Sequence, residues 1–282
     1  MPTRKDNQIV GVCRFSYLGD GGFQAQTQDA EQAARVLYDT ARMQRRFAYF
    51  ENICLPSLAA QTDQDFVLVV LTGDTMPLRW RKRLKGLMAQ YPFLELCTLA
   101  AAGPLNSTRR AFRRGWNGTA TYITGFRIDD DDAVAIDYIA RTREIADQLL
   151  TMGWADEKTP VAICFHRGIY WDMARPEETQ FWDYAEKEPL GLAAAMITTP
   201  DAMTNIYRWN HRRLASQVRC WSDPNAFMFL RTLHGHNDSG RAIPPDARPL
   251  ATAQAHKLLK GRFGLLPWKL QSMMQQAPDD AT

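Results

Sequence analysis

The chain holds no apolar run approaching the ~18 residues that a membrane span requires. Its first residues, MPTRKDNQIVGV, are charged and then strand-like, with no signal-peptide core. A cytoplasmic protein is the expectation. The five cysteines, Cys13, Cys54, Cys97, Cys164 and Cys220, are odd in number and include no CxxC pair, which excludes zinc knuckles and redox motifs. They read as buried free thiols in a reducing compartment. Charge of one sign is scarce: 34 Lys+Arg against 31 Asp+Glu leave +3. That is too little for the concentrated basic face of a nucleic-acid binder. GxGxxG, the Walker lysine motif, GxSxG and HExxH are all missing, so dinucleotide, P-loop, hydrolase-triad and zincin chemistry have nothing to rest on.

What is present is the material of an ordinary folded protein, 45% hydrophobic over 282 residues, enough for a large core without crosslinks. Ile9–Cys13 reads as a strand, followed by a loop with Gly19, Gly21 and Gly22. Helical periodicity runs from about Asp29 to Gln61, with Phe47, Phe50, Cys54, Leu58 and Gln61 on one face and a break predicted at Pro56. Phe66–Leu71 is continuously apolar, the mark of a strand buried on both faces. Helix 78–90, strand 94–99, helix 107–116 and strand 121–128 follow. This alternation predicts an α/β fold with a doubly wound, mainly parallel sheet and helices on both faces. A helix running from the Asp129–Asp132 run to about Met152, a strand at Val161–Phe165 and a helix over Asn205–Val218 complete the reading, with a less regular C-terminal portion.

Four consecutive aspartates, Asp129 to Asp132, follow a buried strand directly. In an open α/β sheet, ligands bind beyond the carboxyl ends of the strands. Packed carboxylates repel one another, so a cation or arginines must compensate them. Mg²⁺ or Mn²⁺ shared with substrate phosphates fits this chemistry. The competing explanation is an acidic helix start capped by Asp132, which one aspartate would satisfy. An EF-hand is excluded, because the required glycine and distal glutamate are missing. A second polar constellation, His234, His236, Asn237 and Asp238, could add imidazole to a divalent site. Arg109 with Arg113, and Arg110 with Arg114, form i,i+4 stripes that could face a diphosphate or simply water. His166 is a candidate cleft residue and His211 a surface one.

The run Leu55-Pro-Ser-Leu-Ala-Ala-Gln-Thr-Asp-Gln-Asp-Phe-Val-Leu-Val-Val resembles the segment of family-2-type, GT-A glycosyltransferases that precedes a strand ending in D-x-D. Together with Gly11-Val-Cys-Arg-Phe-Ser-Tyr, Ile53-Cys-Leu-Pro-Ser-Leu, Arg127-Ile-Asp-Asp-Asp-Asp-Ala-Val and Leu233-His-Gly-His-Asn, it is similar to the bacterial putative rhamnosyltransferase family, from residue 9 to about 240. The resemblance implies one GT-A-like domain over 1–282: a nucleotide-sugar half at 9–160, an acceptor half at 161–240 and an extension at 241–282. It implies a nucleotide-diphosphate sugar donor and a glycan or lipid-linked acceptor. Arg14, Phe15 and Tyr17 match the loop holding the base. Asp74 lies near the usual aspartate after the second strand, although the family-2 DDGS is here Leu71-Thr-Gly-Asp.

Asp129 and Asp131 match the D-x-D pair. Asp129 and Asp130 are expected on the donor, and Asp131, Asp132 and His234 on the metal. A departing diphosphate needs its charge stabilised, and an inverting transfer needs a carboxylate base. Asp172 is the candidate, with Glu177, Glu178 and Asp183 as alternatives. A metal-dependent nucleotidyltransferase and a non-catalytic nucleotide-sugar binder are the competing classes. Lys257, Lys260, Arg262 and Lys269, interleaved with Leu258, Leu259, Phe263 and Trp268, form a basic amphipathic segment. Such a segment could touch an anionic inner membrane face, cover an acceptor cleft or pack on the core.

Overall fold

The structure, a computed structural model, describes residues 6–19, 30–235 and 242–276. His236, Asn237, Asp238, Gly21 and Gly22 lie outside the described residues. Strands β1 (Asn7–Arg14), β2 (Phe66–Gly73), β3 (Leu94–Leu99) and β4 (Tyr122–Ile128) pair in parallel in the order β3-β2-β1-β4. Their apolar runs follow from burial on both faces. Gly11 in β1 is required by close packing: a Cβ there would meet the Phe126 ring at 2.3 Å.

The first two connections cover one face of the sheet and the third covers the other. Between β1 and β2 come α1 (Ala30–Leu37), α2 (Thr40–Tyr49), a π-helical turn at Phe50–Cys54 and α3 (Leu55–Ala59). The helical stretch is therefore broken once, at Asp39, and widened at the π-helical turn, and Pro56 sits in the first turn of α3, where its missing N–H costs nothing. Helices α4 (Leu78–Gln90) and α5 (Pro104–Gly115) precede β3 and β4. Met43, Phe47, Phe50 and Leu58 bury one face of the sheet together with Leu84 and Leu87 of α4; Phe112 of α5 covers the other with Val10, Val12 and Val69.

Beyond β4 the chain departs from the sequence reading. The aspartates form a turn, then β5 (Ala133–Val134), and only then α6 (Tyr138–Thr151). The N-cap position is Asp137, so Asp132 does not cap the helix, and Val134 lies in a strand rather than on a helix face. The cause is non-local. Ala133 and Val134 pair with Leu230 and Phe229 of β9 (Arg219–Leu233). Strand β6 runs from Val161 to Asp172, more than twice the predicted length, and β7 (Phe181–Ala185) and β8 (Ala194–Thr198) add to it antiparallel. The order continues from β4 through β8, β6 and β7 to β10 (Arg248–Pro249), with β9 parallel to β6. The fold is thus α/β, a parallel core extended by an antiparallel half.

The helix expected over Asn205–Val218 reduces to a 3₁₀ turn at His211–Ser216. Asn205 and Asn210 instead accept hydrogen bonds from the Tyr207 and Arg212 amides, drawing the backbone into turns. At the C-terminal end, α7 (Thr252–Phe263) and α8 (Pro267–Gln276) are separated by left-handed Gly264. Leu259, Phe263, Leu265 and Leu270 are buried in the main core, while Trp268 is 62% exposed. Among the described residues, no helix is long and apolar enough to cross a membrane.

Candidate functional site

The Gln61-Thr62 segment explains how the aspartate turn is held. Gln61 is buried; its Nε2 donates to the Ser57 and Ala135 carbonyls at 2.9 and 2.7 Å, and its Oε1 accepts from the Ile139 amide at 2.9 Å. The Thr62 amide donates to the Ile136 carbonyl at 2.7 Å, and the Val134 amide donates to Ser57 Oγ at 3.3 Å. From the opposite side, Thr232 Oγ1 donates to the Asp131 carbonyl at 2.9 Å. The turn after β4 is thus clamped between α3 and the end of β9.

The four carboxylates point to different partners. Asp130, 1% exposed, is paired with Arg46 of α2, while its Oδ2 has no hydrogen-bond partner. Burial, with Asp131 and Asp129 nearby, pushes its pKa up to about 7 against the pull of Arg46. Asp131 Oδ2 lies 2.9 Å from His234 Nε2, at the end of β9. Burial acts to raise the Asp131 pKa. The His234 hydrogen bond and charge, with Arg46, outweigh burial and hold the carboxyl below its usual value. Asp132 turns the other way and accepts the Thr232 amide at 3.0 Å, and burial and its acidic neighbours raise its pKa well above normal. It is a structural clamp on β9. Asp129 is 3.8 Å from Arg127 and 40% exposed.

A narrow crevice opens at this turn, lined by Arg42, Arg45, Arg46 and Tyr49 of α2 with Asp130, Asp131 and His234. The α2 residues stand at i, i+3, i+4 and i+7, one stripe of the helix. Tyr49 stacks on His234 with ring centroids 4.7 Å apart, and Arg42 donates to Ser16 Oγ at 3.1 Å. Ser16, just past β1, is held at φ 47°, a strained backbone of the kind that collects at functional sites. This stripe was not read from the sequence; the i, i+3, i+4 spacing of Arg42, Arg45 and Arg46 was the available signal.

The other sequence candidates fall elsewhere. Phe15, expected beside the nucleotide base, is fully buried between Phe47 and Phe50, at 4.8 and 5.2 Å, and offers no face to a ligand. Arg109 and Arg113, expected at the diphosphate, lie on the face covered by α5: Arg109 donates to the Ala202 carbonyl and Arg113 pairs with Asp201. Tyr17 and Asp74 converge on the end of β3, Tyr17 Oη donating to the Ala100 carbonyl at 2.8 Å and the exposed Asp74 donating its amide to the Leu99 carbonyl at 3.0 Å. Asp172 stands at the end of β6, in register with Leu233 of β9, outside the residues that line the crevice, with its carboxylate 2.8 Å from Arg175. His166 lies within β6 and bonds the Glu186 carbonyl and Ser222, away from the turn.

Behind Asp129, Arg14 and Arg127 stack on Tyr207 at 5.3 and 4.7 Å. His211, expected at the surface, is half-buried here. Burial, then Arg127, Arg212 and Arg231, lower its pKa to about 4 against the opposing charge of Asp129. A depressed imidazole binds protons in the unfolded chain first, so its contribution to stability is complete above the usual value near 6.5 and is lost as pH falls toward 4. His211→Gln is expected to flatten this part of the profile. Denaturant melts of both proteins at pH 7 and pH 4.5 check it; an unchanged pH dependence contradicts it.

No curated protein matches the chain. Among solved structures, S. aureus TarS 1–349 in complex with UDP-GlcNAc is similar at 10% identity and a TM-score of 0.46, over 84% of this chain and 62% of that one. The same fragment in complex with UDP is similar at 10% identity and a TM-score of 0.44, over 80% and 60%. A putative nucleotide-diphospho-sugar transferase from Desulfovibrio desulfuricans G20 is similar at 9% identity and a TM-score of 0.36, over 98% and 100%. The chain spans about three-fifths of the TarS fragment. The family model described as "Putative rhamnosyl transferase" matches residues 8–246, which include strands β2 to β9, the aspartate turn and His234. The chain belongs to that family.

Proposed function

We propose that the protein is a metal-dependent glycosyltransferase that moves a sugar, rhamnose by its family, from a nucleotide-diphosphate donor to a glycan or lipid-linked acceptor. The observation that carries this reading is the Asp131–His234 pair, 2.9 Å apart, facing the arginine stripe of α2. No set of three or more metal-ligating side chains stands together among the described residues. Mg²⁺ and Mn²⁺ need fewer, because one or two carboxylates suffice when substrate phosphates complete the shell. Asp131, kept ionised by its surroundings, and His234 fit that role, and the unpartnered Oδ2 of buried Asp130 lies in the next residue. Asp132, committed to Thr232, does not.

Bound there, the cation would neutralise negative charge on the departing diphosphate. Arg42, Arg45 and Arg46 supply guanidinium donors for the phosphate oxygens. Asp129 takes the donor's ribose, and Tyr17 and Asp74 flank the base at the ends of β1 and β2. In an inverting transfer, Asp172, at the end of β6 next to the end of β9, removes the proton of the acceptor hydroxyl. Arg175 holds that carboxylate in position. Peripheral membrane contact belongs to this reading through a lipid-linked acceptor rather than through the apolar face of α7, which is buried.

The test is release of nucleoside diphosphate from a panel of nucleotide sugars that includes the rhamnose donors. Turnover with Mn²⁺ that stops in EDTA is expected. Binding of donor without release under any condition would leave a sugar-nucleotide-binding protein, and no binding of any donor would remove the reading altogether.

A further inference from the structure

Charge is distributed unevenly over the surface. Helix α4 carries five cations, Arg79, Arg81, Lys82, Arg83 and Lys85, and no acid, against a net charge of +3 for the whole chain. Trp80, Leu84 and Leu87 bury its inner side. Arg79, Lys82 and Arg83 stand at i, i+3 and i+4, one stripe of the outer side; Leu78, Lys82 and Lys85, at i, i+4 and i+7, form the stripe beside it. Among the described residues only Arg83 of the five is paired with an acid, Glu51, at 2.7 and 3.0 Å. Arg79 lies over the Trp80 ring and donates to Thr40, and Lys82 and Lys85 extend into solvent.

This helix meets α8 across a groove of about 550 Å³, whose lining includes Arg83, Trp268 and Lys269. Helix α8 holds no acid either, and Lys269 is exposed with its ammonium 5.6 Å from the Trp268 ring. Three of the seven large apolar side chains exposed among the described residues border the same surface: Trp268 at 62%, Leu78 at 60% and Leu266, two residues before Trp268, at 37%. Glu177 marks its edge, engaged by Gln271 and His256 outside the groove lining. A basic face that only dissolves in water gains nothing from these apolar side chains. A bilayer surface rewards both kinds: phosphates attract the cations, and the headgroup layer accepts an indole with one apolar and one wet side.

We propose that α4 and the start of α8 dock the protein on an anionic lipid bilayer, with Lys82, Lys85 and Lys269 against headgroup phosphates and Trp268 in the headgroup layer. Attachment of this kind is reversible and screened by salt. A nucleic acid would use the cations and leave Leu78 and Leu266 without a role. The groove shares Tyr49 with the crevice, so docking brings the mouth of the crevice to the lipid surface. The docking itself does not depend on the reading of the aspartate turn; delivery of a lipid-linked acceptor to that turn does.

The test is flotation of the full chain with vesicles of phosphatidylcholine, either pure or with about one-third phosphatidylglycerol. Binding to the anionic vesicles at about 0.05 M salt is expected, with none to the neutral ones and loss at about 0.5 M. Lys82→Glu with Lys85→Glu should weaken it at least about tenfold, and the same reversal at Lys257 and Lys260 of α7 should weaken it less. Lipids brominated near the headgroup should quench tryptophan emission in the wild-type chain and less in Trp268→Phe. The lipid and salt comparisons use the unaltered chain, so they decide even where a variant folds poorly. No binding to anionic vesicles at low salt, equal binding to both lipids, an α7 variant as weak as the α4 variant, or unchanged quenching in Trp268→Phe would overturn the assignment. So would binding of heparin without binding of vesicles, which would make the face a site for a soluble polyanion. Donor binding is measured by calorimetry without vesicles. Donor binding without vesicle binding counts against this surface, and vesicle binding without donor binding against the transfer reading.

Discussion

Asp131→Asn is expected to lower metal-dependent donor affinity and turnover by about 100-fold or more, the scale at which metal sites respond to loss of even an outer partner. The substitution is isosteric, and the asparagine can still bond His234, so the fold should stand. Three features single out this carboxylate among the four. Its Oδ2 is the oxygen on His234, it lines the crevice with the arginines of α2, and its surroundings keep it ionised. Replacing it also removes a negative charge beside Asp130 and Asp132, both held above their usual pKa partly by that charge. The charge that His234 and Arg46 stabilise is lost with it, so the two effects oppose and thermal stability in the absence of metal should change little while catalysis collapses. Calorimetric titration of donor with Mn²⁺, beside a melt of each protein, separates the two effects. Unchanged donor affinity in Asp131→Asn would remove the metal from this residue.

Arg46→Ala should act in the opposite way, on stability first. Arg46 is the ionic partner of Asp130, which is 1% exposed, and removing one member of a buried pair leaves a charge without compensation, at a cost of about 3–5 kcal/mol. The deficit should depend on pH in a definite direction. The folded Asp130 pKa, about 7, lies above the unfolded value of 3.8, so the stability tied to its protonation is full below 3.8 and is lost as pH rises through 7. Without Arg46 the folded pKa climbs further and the loss continues past 7. Near pH 5 the carboxyl is protonated in both proteins and the difference should be small; near pH 8, about one unit above the folded pKa, it should be about 1.4 kcal/mol, and it should grow toward the full value only at higher pH. Urea melts at the two pH values measure it. A deficit that is the same at both would mean that Arg46 acts through packing on the Phe15 ring, 5.9 Å from its guanidinium carbon, rather than through Asp130.

The parts of the fold legible in the sequence were those governed by local pattern. Helix Leu78–Gln90 and strand Leu94–Leu99 were read to the residue, because periodicity and apolar runs decide them. Long-range pairing decided the rest. Nothing near Ala133 and Val134 announces that β9 will take them as a strand, and without that knowledge Asp132 looks like a helix cap. The doubling of β6 has the same origin in its pairing with β9 along its whole length. At the site, the aspartate run and His234 could be singled out by composition and order, and the Gln61 segment by its resemblance to the family's. Arg42, Arg45 and Arg46 could not, since a basic stripe on an amphipathic helix is also what a solvated face looks like. The same ambiguity misdirected Arg109 and Arg113, whose stripe is equally regular but turns to Asp201 and Ala202. Phe15 follows the first strand as a base-stacking residue would, yet the rings of Phe47 and Phe50 enclose it.

The most direct test of the central assignment is anomalous diffraction from crystals grown with Mn²⁺ and a nucleoside diphosphate. The account places one manganese peak between the Asp131 carboxylate and the His234 imidazole, with the diphosphate oxygens completing its shell and reaching toward Arg42, Arg45 and Arg46. A peak at any other site, or a nucleotide bound with no manganese at this pair, would contradict it.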